Sequence, residues 1–420
     1  TAINSLVNAE GGLDDVTGMA GIDWTLTANA GELSSTPYQF TGIETADLVS
    51  QTLSGTDANN ETFSISTTAN AVNVNSIDFT SVAAINAGTS TGDAVTTTET
   101  VDADLTANGN ELVASTINFS NINDADLSGG ALTGTNDNDE TFSISTTANA
   151  VDVNDIDFTS VASIDAGTST GDAITTTETV DADLTANGNE LVASTINFSN
   201  INDADLSGGA LTGTNDNDET FEISTAANAV NVNAIDFTSV ASINAGTSTG
   251  DAVTTTEAVD ADLTANGNEL AASTINFSNI NDADLSGGAL TGTNDNDETF
   301  SISTTANAVD VNDINFTSVA SIDAGTSTGD AITTTEAVDA TLTGANNAVD
   351  ASGINFTNVN TVDLTGGALS GSDNADTFVL DAAGLKANEI LFTAINSLVN
   401  AEGGLDDVTG MAGIDWTLTA

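Results

Sequence analysis

The sequence from Glu111 to Phe142 reads ELVASTINFSNINDADLSGGALTGTNDNDETF; it begins again at Glu190 and, with ELAAS for ELVAS, at Glu269. These starts define a 79-residue period. Repetition at a fixed period points to stacked units that bury their apolar faces against one another, not to a single unique core. Within and around this stretch the apolar residues fall in short alternating runs: Ile117-Asn118-Phe119, Val151-Asp152-Val153, Ile156-Asp157-Phe158. Alternation marks strands with one buried side, and the runs end in turn-forming clusters such as GGALTGTNDND and AGTSTGD. No amphipathic helix of ordinary length can be drawn through the repeats.

The phenylalanines refine the period. Phe40, Phe79, Phe119, Phe158, Phe198, Phe237, Phe277, Phe316 and Phe356 are spaced alternately by 39 and 40. Phe63, Phe142, Phe221, Phe300 and Phe378 form a second register, once in each 79-residue period, with the last interval one shorter. With Phe392 these account for all 15 phenylalanines, so little aromatic material is left for a separate domain. A third level appears at the ends, where TAINSLVNAEGGLDDVTGMAGIDWTLTA occupies residues 1–28 and again 393–420. The chain thus shows a 392-residue super-repeat once, plus the opening of the next copy, and reads as a slice of a longer thread in which further copies of the super-repeat follow.

The expected fold is all-β: a parallel β-solenoid of tandem 39/40-residue units, two coils of about 20 residues each, with like residues stacked on like. Phe, Ile and Val ladders fill the lumen, while Asn, Thr and Asp form ladders on the turns. The alternative is a string of Ig-like sandwiches, one to each 79-residue period, which the inner 39/40 period disfavours. Residues 1–39 hold Trp24, Pro37 and Tyr38 and form an atypical segment, an insertion or variant coils. Within it AINSLVNA has the length for one or two helical turns before Gly11-Gly12. Residues 40–391 are the solenoid repeats, and 392–420 begin the next super-repeat.

Copies can be compared within the chain. Residues 111–189 and 190–268 differ at seven positions, among them Asp152→Asn231, Asp165→Asn244 and Ser143→Glu222. Shape and hydrogen bonding therefore matter more than charge at the Asp/Asn positions. Asp126 keeps its acid at Asp47, Asp205, Asp284 and Asp363, and Asp172 at Asp93, Asp251 and Asp330.

Composition sets the chemistry. Lys386 is the one basic side chain against 62 acidic ones, for a formal net charge of −61, and there is no His and no Cys. Nucleic-acid binding is excluded because nothing neutralises phosphates; zinc sites of the usual kind, thiol chemistry and Ser-His triads are excluded with His and Cys. At 39% hydrophobic and 15% charged residues the chain has material for a core, unlike a disordered acidic tail. No stretch is apolar enough to cross a bilayer as a helix. About 20 coils at ~4.8 Å each give one charge per ~1.7 Å, near the axial density of duplex DNA, so a cation layer must accompany the chain. Homotypic bundling through cation bridges is then open to it.

Calcium is the candidate cofactor. The turn GTNDNDETF crowds Asp137, Asp139 and Glu140 together, repeated as Asp216, Asp218, Glu219 and as Asp295, Asp297, Glu298. Oxygen-only clusters in tight turns suit Ca²⁺. The segment Gly371 to Phe378, GSDNADTF, is similar to the calcium-binding RTX nonapeptide in its first Gly, in Asp376 and in its eighth, apolar residue. The competing reading of these acids is as solvated turn residues.

The repeats, in FTNVNTVDLTGGALSGSDNADTFVL (Phe356 to Leu380) and FTGIETADLVSQTLSGTDANNETFSI (Phe40 to Ile65), resemble β-solenoid repeats of giant bacterial surface adhesins of the filamentous-haemagglutinin or RTX type. The resemblance implies a secreted, extracellular or cell-surface fibre, structural and non-enzymatic. Two other functions are weighed. A carbohydrate-active β-helix needs only two carboxylates, but a catalytic pair should break the repeat at one place, whereas these carboxylates recur. A calcium-, ice- or mineral-templating surface needs an unbroken Thr-x-Thr face, and TTTET (Thr96–Thr100) occurs once in each 79-residue period. For Lys386 the plain expectation is an ion pair with Asp381 or Glu389; the sharper one is an isopeptide cross-link.

Overall fold

The computed structural model describes residues 5–6, 12–380 and 382–410. Among them every regular element is a strand, mostly of three or four residues, and none is a helix long and apolar enough to cross a membrane. The chain forms two compact units, Thr1–Gly209 with Ala234–Thr238, and Ala210–Asn233 with Ser239–Ala420. Each is a β-solenoid with two strand-bearing faces closed over an apolar core, as the alternation predicts; 79-residue sandwiches are absent from the described residues.

In the first unit one face runs through Thr62–Ile65, Ala94–Thr97, Asp124–Asp126, Ile156–Thr159, Val151–Val153, Thr141–Ile144, Ala173–Thr176 and Asp203–Asp205. The other runs through Ala103–Leu105, Ala131–Thr133, Ser163–Asp165, Ile196–Ser199, Glu190–Ala193 and Ala182–Leu184. Parallel partners are Thr141 with Ala173, Ala173 with Asp203, and Asp203 with Asp236, so a coil advances the numbering by thirty or slightly more. The coil is thus longer than expected, because part of every 39/40-residue unit turns back on itself.

That part is a hairpin meander. Thr141–Ile144, Val151–Val153 and Ile156–Thr159 lie antiparallel on one face, and Ala182–Leu184, Glu190–Ala193 and Ile196–Ser199 repeat the arrangement on the other. Each unit carries one meander, and consecutive units carry it on alternate faces. Two units are needed to restore the face, which is why the full period is 79 and the 39/40 period is a pseudo-repeat. The second unit of the chain shows the same order, with the meander of Thr299–Ile302, Val309–Val311 and Ile314–Thr317. The two-residue turn Asn154-Asp155 has positive φ at both positions, 52° and 61°, the geometry whose twist matches that of the flanking strands.

Along the core, stacking does not place Phe on Phe. Phe142 lies beside Ile174, Ile174 beside Ala204 and Ala204 beside Phe237, a sequence of unequal sizes along the core. The two phenylalanine registers meet across the lumen: Phe142 packs edge-on against Phe198 with ring centroids 6.2 Å apart, and Phe63 against Phe119 likewise. In the second unit Phe221 meets Phe277 and Phe300 meets Phe356. The place of Phe142 in the alternate meander is taken by Ala182, so the second register appears once in each full period.

The atypical segment 1–39 joins this pattern, with Asp15–Thr17 stacked parallel on Thr45–Asp47. Trp24–Leu26, Glu32–Ser35 and Tyr38–Thr41 form the same meander, with Trp24 buried 5.6 Å from Phe40. It is a variant coil. The helical turns expected in AINSLVNA are replaced by strands at Ser5–Leu6 and in the copy at Ser397–Asn400, because both pair into neighbouring coils. Of residues 392–420, Ser397–Asn400 and Asp407–Thr409 stack on Ala368–Ser370 and Thr377–Leu380; Trp416 lies outside the described residues.

Candidate functional site

The acid-bearing turn between Ala131–Thr133 and Thr141–Ile144 crosses from one face to the other and lies against the turn one coil on. Its approach is close: a Cβ on Gly134 would come within 2.4 Å of the Ala166 carbonyl oxygen and 3.0 Å of Glu140 Oε2, so the position requires glycine. The three acids separate here. Asp137 and Asp139 face solvent, and Asp139 lies over Gly171 of the next turn. Glu140 points inward and is 2% exposed. Asp216 and Asp218, and Asp295 and Asp297, are likewise exposed, with Glu219 and Glu298 buried. Among the described residues no group of three or more Asp or Glu is gathered as a metal would require.

The structure instead brings Glu140 to Asp172, which is 0% exposed. The Glu140 N–H donates to Asp172 Oδ1 at 2.8 Å, and Ser169 Oγ donates to Oδ2 at 2.7 Å. Thr135 gives its hydroxyl to Glu140 Oε1 at 2.5 Å and its N–H to Oε2 at 3.1 Å. The arrangement recurs as Glu61 with Asp93, Glu219 with Asp251 and Glu298 with Asp330. Burial pushes the carboxyl of each of these four glutamates above its ordinary range; the threonine hydrogen bonds oppose the shift and the neighbouring aspartate adds to it.

In the last copy, where the repeat is one residue shorter, Asp376 takes the glutamate's place. Ser372 donates to it through N–H and hydroxyl, Asn388 Nδ2 donates at 2.6 Å, and its own N–H reaches Asp406 Oδ1 at 3.0 Å. Lys386 pairs with Glu389 at 2.6 Å, the plain expectation for it; Asp381 lies outside the described residues.

These contacts account for the copy-to-copy pattern. Asp172 accepts through both oxygens, and an amide would put a donor against a donor, so the acid is kept. Asp165 uses one oxygen to accept the Gly167 N–H at 3.1 Å, and Asn244 does the same for Gly246, so the two residues interchange. Asp126 also accepts through one oxygen, from the Ser128 N–H where φ is positive, and its constancy as an acid has no structural explanation. Asp172 was legible from its constancy; that Glu140 points inward follows from period two, since it stands two residues before the buried Phe142. The sequence reading passed over a further set, Asn70, Asn110, Asn149, Asn189, Asn228, Asn268 and Asn307. Each has φ near 60° and donates its side-chain amide to a carbonyl twelve residues on. Their 39/40 spacing was the available signal.

Fold and site together define a tandem-repeat β-solenoid whose coils are joined by buried carboxyl pairs. No protein family, curated protein or solved structure matches this chain.

Proposed function

We propose that the chain is a structural, non-enzymatic segment of a very long secreted or cell-surface bacterial fibre or adhesin, serving projection and adhesion. What supports this is the recurrence of one surface. The groove over Ser143, Asp152, Asp157 and Thr159 in the first unit returns over Ser301, Asp310, Asn315 and Thr317 in the second, two full periods on. A catalytic centre is a local departure from such a pattern; a spacer or multivalent contact surface is the pattern itself. The high acid content suits an exported polymer that must stay soluble.

The test is immunogold electron microscopy of producing cells and their medium, with antibodies raised against this chain. Label along filaments outside the cell is the expected result, and label confined to the cytoplasm overturns the reading. Reducing-sugar release from polysaccharides by the purified chain would favour the carbohydrate-active alternative.

A further inference from the structure

We propose that the Glu140–Asp172 pair, with Glu61–Asp93, Glu219–Asp251 and Glu298–Asp330, is a set of proton-holding clasps that fasten one coil to the next, closed while the glutamate carboxyl keeps its proton beside the aspartate and loosened when rising pH removes it. Each pair joins consecutive coils: the Glu140 N–H holds Asp172, and the Ala173 N–H returns to the Glu140 carbonyl at 2.9 Å. Asp172 Oδ1 lies 2.8 Å from the backbone nitrogen of Glu140, which buries the two carboxyl groups side by side. Both are sealed from water, at 2% and 0% exposure.

Two ionised carboxylates so placed repel each other without solvent to screen them, and the cost falls sharply when one is protonated. The charged groups around the pair are all acids: Asp137 and Asp139 on the same turn, Asp165 on the neighbouring coil, Asp203 on the coil beyond and Asp152 on the adjoining meander strand. No cation compensates, since Lys386 is engaged by Glu389 far along the sequence. The existing donors are spent, two on each residue's oxygens, so the contact between the carboxyl groups has no hydrogen unless one of them carries it. The shorter last copy acts as a control within the chain: there Asn388 Nδ2 supplies a hydrogen to Asp376 directly.

The direction of the pH dependence follows. A glutamate whose carboxyl is raised from 4.5 on folding contributes stability that is fully present below 4.5 and is lost as pH climbs through the higher folded value. The clasps therefore favour the folded stack below 4.5 and weaken it as pH rises above that value. In a surface protein this would couple coil cohesion to the acidity of the surroundings.

Infrared spectroscopy of the full chain tests this. The folded wild-type protein should retain a protonated-carboxyl C=O band above the pH range in which free glutamate ionises. The quadruple variant Glu61→Gln, Glu140→Gln, Glu219→Gln, Glu298→Gln should lose that band, together with the fall in melting temperature as pH rises above 4.5. If the quadruple variant does not fold, Glu140→Gln alone should remove one of the four contributions. Absence of the band from the folded wild-type chain overturns the proposal. So does a band that survives the substitutions, or a divalent ion bound at the pairs in stoichiometric amount.

Discussion

Asn149 and Val161 exchange two hydrogen bonds: Asn149 Nδ2 donates to the Val161 carbonyl at 2.7 Å, and the Val161 N–H donates to the Asn149 carbonyl at 3.0 Å. The contact ties the first turn of a meander to its exit, and it is repeated in almost every 39/40-residue unit. Asn149 holds it with φ at 58°, where asparagine is tolerated and alanine is strained by ~1–2 kcal/mol. Asn149→Ala also forfeits a side-chain hydrogen bond of ~1 kcal/mol. The expected loss is about 2–3 kcal/mol of unfolding free energy, measured by denaturant titration. Asn149→Asp tolerates the backbone but turns an acceptor toward a carbonyl, and should cost at least as much as the alanine change.

A different outcome is expected at Asp152, which lies opposite Asp157 across the meander. Both are acids and both are exposed. Burial of part of its surface, then Asp157 and Asp155, raise the Asp152 carboxyl above its ordinary range. In the first copy the pair is Asn73 and Asp78, and Asn73 Nδ2 donates to Asp78 Oδ1 at 2.6 Å. Asp152→Asn should therefore stabilise the protein, by no more than ~0.2–1 kcal/mol for an exposed cross-strand pair. The gain should be largest at low salt and vanish in acid, where both aspartates are neutral; thermal melts over a salt and pH grid would show it.

How far these features could be read in advance differs from residue to residue. Val151-Asp-Val153 and Ile156-Asp-Phe158 announce strands, and their alternate burial follows. That they form a hairpin was also written there, in the two-residue Asn154-Asp155 turn, but the equivalent turn Ser115-Thr116 has positive φ on residues that give no such signal. A period counts residues and not rungs, so a 39/40-residue unit divided naturally into two coils when the chain in fact spends part of it doubling back. The inward turn of Glu140 is legible only from its place two residues before the buried Phe142, whereas its neighbour Asp139 is exposed.

The glycine pair in LSGGALTG offers a steric test. Gly129 has φ at 88°, and a Cβ on Gly130 would lie 1.9 Å from the Val101 carbonyl oxygen. That oxygen is backbone and cannot swing aside. Gly130→Ala should cost several times the ~1 kcal/mol by which the same change usually alters stability. Gly129→Ala meets no atom within 4 Å and loses through its backbone alone, ~1–2 kcal/mol. Comparing the two by urea unfolding separates crowding from strain.

The acid limb of stability should come from a second group of glutamates. Glu178 lies on the surface and accepts the Thr146 hydroxyl at 2.8 Å and its N–H at 3.2 Å. The hydroxyl, then the N–H, holds its carboxyl below the ordinary 4.5; Glu99 with Thr67 and Glu336 with Thr304 are shifted the same way. A carboxyl lowered on folding contributes stability above 4.5 that is lost as pH falls through the folded value, the reverse of the buried pairs. Thr146→Val removes the hydroxyl donor to Glu178 and should reduce this limb by that residue's share, while leaving intact the loss seen as pH rises above 4.5. A melting-temperature profile from acid to alkali resolves the two limbs, and a variant that moved both would show that the groups are not independent.

Salt should act through the whole charge rather than through any one site. With 62 acidic side chains and one lysine, repulsion among exposed carboxylates opposes the folded chain, and it is screened once the Debye length falls to about 10 Å near 0.1 M ionic strength. The melting temperature should rise with sodium chloride and level off as screening completes. Calcium and magnesium chlorides at matched ionic strength should raise it further by similar amounts, since divalent ions accumulate more strongly around any dense polyanion. The outward Asp137 and Asp139 belong to this diffuse field, so Asp137→Asn with Asp139→Asn should reduce the salt response in proportion to the charge removed. A gain specific to calcium, abolished by that double change and by chelation, would instead assign these turns a bound ion.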